Sequence, residues 1–133
     1  MEIWEKEWDG SENGRWTHQL IPEISQWVNR KHGEVNFYLT QFLTGHGCFR
    51  KYLHKIGHAD SPMCPMCNTT EETPRHVVFE CPRFAGERTS WMSTCGSHLR
   101  VENIVAEMCN DSKCWEESEK FIRAIMMKLQ TST

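Results

Sequence analysis

The apolar residues of this chain recur at helical rather than strand spacing. From Glu34 to Leu43, Val35, Tyr38, Leu39 and Phe42 fall at i, i+3, i+4 and i+7, the single stripe of an amphipathic helix. Thr44-Gly45-His46-Gly47 breaks it, and the same template returns with Phe49, Tyr52, Leu53 and Ile56 before ending at Gly57. Two helices joined by a short glycine turn predict an antiparallel hairpin. Upstream, Ile3, Trp4 and Trp8 predict a short helix over 2–8 that stops at Asp9-Gly10-Ser11-Glu12-Asn13-Gly14, and Ile24, Trp27 and Val28 predict another after Pro22. Downstream, Phe84, Arg88, Trp91 and Met92 predict a helix ending near Gly96, and Val101, Ile104, Val105 and Met108 predict the next. A final helix from about Lys113 to Gln130 turns Trp115, Phe121, Ile122, Ile125, Met126 and Leu129 inward. Val-rich alternating segments are nearly absent, so the expected class is all-α, a small helical domain with little or no sheet.

One stretch departs from this pattern. Between Cys64 and Cys81 the spacing is C-x2-C-x8-H-x4-C. Two cysteines two residues apart let a tight turn aim both sulfurs at one metal, and a His and a Cys from the following segment complete a tetrahedron. Asn68, directly after the second Cys, sits where such turns need a left-handed backbone, which Asn adopts more readily than other non-Gly residues. Thr73 is placed as an N-cap with Pro74 at the first helical position, so His76 projects from the first turn of a short helix. On a continuous α-helix His76 and Cys81 would point roughly 140° apart. Pro82 biases Cys81 out of the helix, which is expected to end there. Cys64, Cys67, His76 and Cys81 are therefore the expected ligands of one zinc ion, structural rather than catalytic because four protein ligands leave no open position. The alternative is reduced buried thiols and an unrelated His. His32-Gly33-Glu34 with Pro62, Cys64 and Cys67 superficially matches a zinc deaminase signature. Pro62 is out of register by one residue, no sheet is expected to hold such a site, and His76 and Cys81 would be coincidences.

The expected organisation is one compact domain: N-terminal helices with a basic helical hairpin over 1–60, the CCHC knuckle over 61–84, and C-terminal helices over 85–133. At 133 residues, with 38% hydrophobic and 25% charged residues, the composition is that of an ordinary globular domain and not of a disordered chain. No stretch approaches a membrane span or a secretory h-region. Seven cysteines, an odd number with a C-x2-C pair among them, indicate a reducing, intracellular compartment, and those at 48, 95, 109 and 114 are expected as small buried hydrophobes. A net charge of -3 advertises no nucleic-acid partner for the whole molecule, so any such contact must come from a local patch. The helix opposite the Phe49–Ile56 stripe supplies one, with Arg50, Lys51, His54 and Lys55, and His58 just beyond. Together with Arg30 and Lys31, the segment from Arg30 to His58 carries five Lys and Arg against the single acid Glu34, while Glu116, Glu117 and Glu119 compensate elsewhere. Arg30, Lys31, Arg50, Lys51, His54 and Lys55 are thus the candidate contacts to a phosphate backbone. The plain alternative is a solvated helix face. Phe37, Tyr38, Phe49 and Tyr52 could stack on bases, but their spacing assigns them to the core.

The runs Gly14-Arg15-Trp16-Thr17-His18-Gln19-Leu20-Ile21-Pro22, Arg30 through Phe49, and the knuckle ending Phe79-Glu80-Cys81-Pro82-Arg83-Phe84 resemble the C-terminal end of an arthropod type-1 non-LTR retrotransposon polyprotein. In that family an endonuclease and a reverse transcriptase, an RNA-directed DNA polymerase, precede a tail with a CCHC zinc-binding region. Its ligands carry over to Cys64, Cys67, His76 and Cys81. A polymerase palm needs clustered Asp residues to bind two metal ions, whereas Asp occurs here only at 9, 60 and 111. The Cys-to-His gap of eight residues also departs from the four of retroviral knuckles, so their base-reading rules do not transfer. The resemblance implies a non-enzymatic zinc-binding module, a fragment, remnant or domesticated descendant of the polyprotein. Its expected role is RNA or DNA binding in target-primed reverse transcription in the nucleus, with the rest of the polyprotein as partner and no membrane or small-molecule substrate. The alternative from another class is a structural or protein-interaction module that docks on a polymerase domain or a host protein.

Overall fold

A computed structural model describes residues 15–22 and 24–132, and the helix expected over 2–8 lies outside them. Helices α1 (Arg15–Leu20), α2 (Ile24–Val28), α3 (Phe37–Thr44) and α4 (Arg50–Lys55) precede the knuckle; a π-helical turn (His76–Glu80) and a 3-10 turn (Pro82–Phe84) close it. Helices α5 (Ala85–Cys95), α6 (Ile104–Asn110) and α7 (Ser112–Ser132) follow. Among the described residues there is no strand, only an isolated antiparallel bridge between Met63 and Glu71. The fold is all-α.

Helix α7, 21 residues and so about 30 Å long, is the spine. Its expected stripe of Trp115, Phe121, Ile122, Ile125, Met126 and Leu129 is buried throughout. Helices α5, α6 and α3 pack on it. Trp91 of α5 stacks on Phe121 at 4.6 Å, and its indole N–H donates to the buried Ser118 hydroxyl at 2.8 Å, so the polar tip of a large core residue is satisfied.

The structure differs from the periodicity in several places, among them the exposed Val28 and Ile56. Helix α1, with only Trp16 and Leu20 as its apolar positions, is too short to announce itself; it is held by tertiary bonds, Trp16 Nε1 to Phe42 O at 2.7 Å and Thr17 Oγ1 to Leu43 O at 2.6 Å. Helix α3 starts at Phe37 rather than Glu34 because the Asn36 side chain caps it, accepting from Leu39 N at 2.9 Å. That start leaves Val35 and Phe37 exposed instead of in the core. The hairpin partners also separate in their packing: α3 lies against α7 and α1, burying Leu39 and Phe42 at roughly 2 kcal/mol each, whereas α4 is fastened to the knuckle. Gly45, at φ 73°, ends α3 and lets Trp16 close over it, its ring 3.3 Å from where a β-carbon would stand.

Candidate metal centre

The knuckle is built by local backbone bonds. Asn68 N donates to Cys64 O at 2.8 Å, Cys64 N to Thr70 O at 2.8 Å, and Glu72 N to Pro62 O at 2.8 Å. Asn68 takes the left-handed conformation expected of it, at φ 61°. Thr73 caps the next helix through its hydroxyl, which accepts from His76 N at 3.1 Å.

The helix then departs from α geometry. Cys81 N closes on His76 O at 2.6 Å, a bond spanning five residues, and His76–Glu80 is a π-helical turn. A wider turn rotates less per residue, so His76 and Cys81 come round to the same side instead of diverging. Cys81 itself is extended, at φ -68° and ψ 126°, as the following Pro82 requires. Three carbonyls at this buried helix end are taken by Arg88 of α5, which donates to Val78 O, Val77 O and Cys81 O at 2.7, 3.1 and 2.8 Å.

The ligating atoms of Cys64, Cys67, His76 and Cys81 all lie within 4.8 Å of one another. The Cys64 and Cys81 sulfurs are 3.8 Å apart, and a tetrahedron with metal–sulfur bonds of about 2.3 Å has edges of about 3.8 Å. His76 is 4% exposed; its Nδ1 faces Glu80 Oε1 at 3.4 Å, while its Nε2 is buried without a hydrogen-bond partner. A carboxylate on one ring nitrogen and a bare second nitrogen is the arrangement of a metal-ligating histidine. The donor set fits a tetrahedral metal ion, and the four residues could hold one.

Without a cation, the Cys64 and Cys67 thiols ionise unequally. Burial raises Cys64, but the Cys67 and Met66 backbone N–H groups, His76 and the Arg83 guanidinium outweigh it and lower the thiol to about 7. Cys67 is raised to about 11, by desolvation first and then by the sulfurs of Cys64 and Cys81. A divalent cation held there would favour the thiolate form that metal ligation requires.

Behind the ligands lies a bracket that periodicity gave no sign of. Glu72 is 1% exposed. Its Oε2 accepts from Arg83 at 2.8 Å, and Arg83 Nε donates to the Cys81 sulfur at 3.3 Å. Glu72 Oε1 accepts from Arg50 N at 3.0 Å, and its carbonyl accepts from Lys51 N at 3.2 Å. Phe49 provides no side-chain cap for α4, so Glu72 caps that helix from the knuckle. The first turn of the basic helix is thereby tied, through two side chains, to a metal-ligand candidate.

On α4, Lys51 lies 3.7 Å from Glu71, His54 Nδ1 is 3.2 Å from Ala59 O, and Lys55 is exposed with no ion pair among the described residues. Arg30 is placed otherwise. Its guanidinium lies 4.0 Å over Trp27 and 5.4 Å from Trp115, and it donates to Trp27 O at 2.7 Å, so it serves the packing of α2. Among the described residues, Arg30 and Lys31 line cavities with their own neighbours, whereas Lys51 and Lys55 of α4 line a different groove. His32 is held by Met108 O at 2.7 Å and is not part of the Cys/His cluster. Of the aromatics, Phe49 is core as expected, but Tyr52 is half-buried, lines a groove and stacks on His46.

Fold and site together define a small helical module clasped by one four-residue, CCHC-type cluster able to hold a metal ion. The chain is 34% identical over 100 residues to the Retrovirus-related Pol polyprotein from type-1 retrotransposable element R1 of Bradysia coprophila, covering 75% of this chain and 10% of that protein. It is 32% identical over 106 residues to the corresponding R1 4 polyprotein of Nasonia vitripennis, covering 75% and 26%, and 28% identical over 111 residues to the R1 polyprotein of Popillia japonica, covering 81% and 43%. The chain is homologous to part of the Pol polyprotein of arthropod type-1 retrotransposable elements, and spans about a tenth to a quarter of the first two of these relatives. No family model matches it, and no solved structure does.

Proposed function

We propose that this chain is a non-catalytic, zinc-stapled module that helps a retrotransposon reverse transcriptase grip RNA or DNA during target-primed reverse transcription. Zinc suits three thiolates and one imidazole at tetrahedral spacing, and Cys64, Cys67, His76 and Cys81 would occupy all four positions, leaving none to activate water. In this reading the segments 1–60, 61–84 and 85–133 act as one domain.

One observation carries the nucleic-acid reading: the bracket from Cys81 through Arg83 and Glu72 to the first turn of α4. It makes the presentation of Arg50, Lys51 and Lys55 depend on the metal. The zinc-loaded protein is expected to bind labelled RNA or DNA with an affinity that falls steeply with salt. Three phosphate contacts correspond to a log–log slope of roughly -2 on a single strand. Changing Arg50, Lys51 and Lys55 together to Glu should abolish binding, and chelation should weaken it. Binding that is absent, or flat across the salt series, refutes the reading. Phe37, 65% exposed beside the exposed Val35, favours the second reading, a module that docks on another protein; it predicts association with the rest of the polyprotein and no nucleic-acid binding.

A further inference from the structure

A groove of about 440 Å³ runs between α1, the α3–α4 turn, α4 and the start of the His76 helix. Lys51, Lys55 and Arg75 line it, and among the described residues no carboxylate does. Arg75 is held across the groove by a neutral partner, donating to Gln19 Oε1 at 3.0 Å, and among the described residues no carboxylate pairs with it. Lys51 is half-paired with exposed Glu71, an arrangement a phosphate can displace at little cost.

Among these cations stands an aromatic pair. The His46 ring stacks on Tyr52, with centroids 4.5 Å apart and planes within 22°. Tyr52 is half-buried and His46 is exposed, so the outer face of His46 is a flat platform backed by a second ring. Gly45 and Gly47, at φ 73° and 150°, flank His46 in conformations closed to ordinary side chains, which fixes the turn that presents it.

We infer that this groove binds an unpaired nucleic-acid strand, one base stacked on the His46–Tyr52 platform and the neighbouring phosphates held by Lys51, Lys55 and Arg75. The inference rests on the nucleic-acid reading above and adds which form of nucleic acid is taken, and where. Cations spread along a groove match a phosphodiester chain, and an exposed ring matches the face of any base. In a duplex each base is already stacked on both sides, so a platform set among groove-lining cations is reached only by a base free to leave its neighbours. A lone phosphate would leave the aromatic pair unused.

The zinc-loaded full chain should be titrated with three fluorescein-labelled probes: a single-stranded oligothymidylate of about twelve nucleotides, a duplex of that length, and a strand of abasic units. The oligothymidylate is expected to bind more tightly than the other two. His46→Ala should weaken it by about five- to a hundredfold, the range of one base–aromatic stack, and leave the abasic strand unchanged. Helical circular dichroism should stay the same, since His46 is exposed, and His46→Phe should restore the affinity. Equal binding of oligothymidylate by the wild-type and His46→Ala proteins, or of the oligothymidylate and abasic strands by the wild type, overturns the inference. The salt-dependent grip by α4 would then still stand. If no probe binds at any salt concentration, the underlying nucleic-acid reading fails, and the inference with it.

Discussion

A buried carboxylate costs several kcal/mol to desolvate unless it is paired and fully hydrogen-bonded, and Glu72 meets both conditions. Its two oxygens serve Arg83 and the first turn of α4, so one side chain joins the metal cluster to the basic helix. Glu72→Ala leaves the half-buried Arg83 without its carboxylate and α4 without a cap. It should destabilise the protein by about 3–5 kcal/mol in denaturant unfolding, with Glu72→Gln losing less because an amide oxygen can still cap α4. A change within experimental error for both variants would remove the bracket from the account. At this scale the ligands were legible in the chain and their supports were not. Spacing along sixteen intervening residues is enough to pick out Cys64, Cys67, His76 and Cys81. Glu72, Arg83 and Arg88 are ordinary charged residues in sequence and acquire roles only from what the fold puts beside them.

Helix ends decide most of the geometry at the next scale. The π-helical turn turns a spacing unsuited to an α-helix into one that brings His76 and Cys81 together. Asn36 moves the start of α3, and with it Phe37, out of the core. Helices α5 and α7, whose core contact is Trp91 on Phe121, are also joined at the surface by Glu87 and Lys128. The hydrogen bond from Lys128, more than the nearby charges, lowers the Glu87 carboxyl below its ordinary value. A depressed carboxylate contributes stability above its unfolded pKa, about 4.3, and loses it as pH falls through the folded value. Glu87→Gln should therefore destabilise the protein slightly near pH 7, by no more than about 1 kcal/mol for a solvent-screened pair, with the difference fading as pH falls below the ordinary carboxylate pKa. A difference that persists in acid would show that the pair's charge is not its cause. The stripes of α5, α6 and α7 were legible because burial on one side of a helix imposes its period directly; α1 was not, because its two apolar residues set no period and its anchors lie 26 residues away.

For the molecule as a whole, the Cys/His cluster and the core are not independent. The π-helical turn packs on α7, Arg88 of α5 caps it, and Glu72 ties it to α4. Structural zinc binds small peptides with roughly 10–16 kcal/mol, comparable to or above the stability of a whole domain. Chelation should therefore unfold at least residues 61–84 and lower both the helical circular dichroism and the melting temperature. Unchanged helicity after complete metal removal would refute a structural role. No helix among the described residues is long and apolar enough to cross a membrane.

What the sequence determined by itself is local in origin: the all-α class, the inward faces of the long helices, and the four ligand candidates. Each depends on residues within a turn or a short loop of one another, where period and spacing translate directly into direction. Tertiary structure alone decided that α4 is fastened to the knuckle rather than expressed only as a hairpin with α3, and that Arg30 packs on tryptophan. It alone set His46 on Tyr52 beside Arg75. Those outcomes turn on which distant groups satisfy a buried charge, a bare helix end or an open ring face, and no periodicity along the chain encodes them.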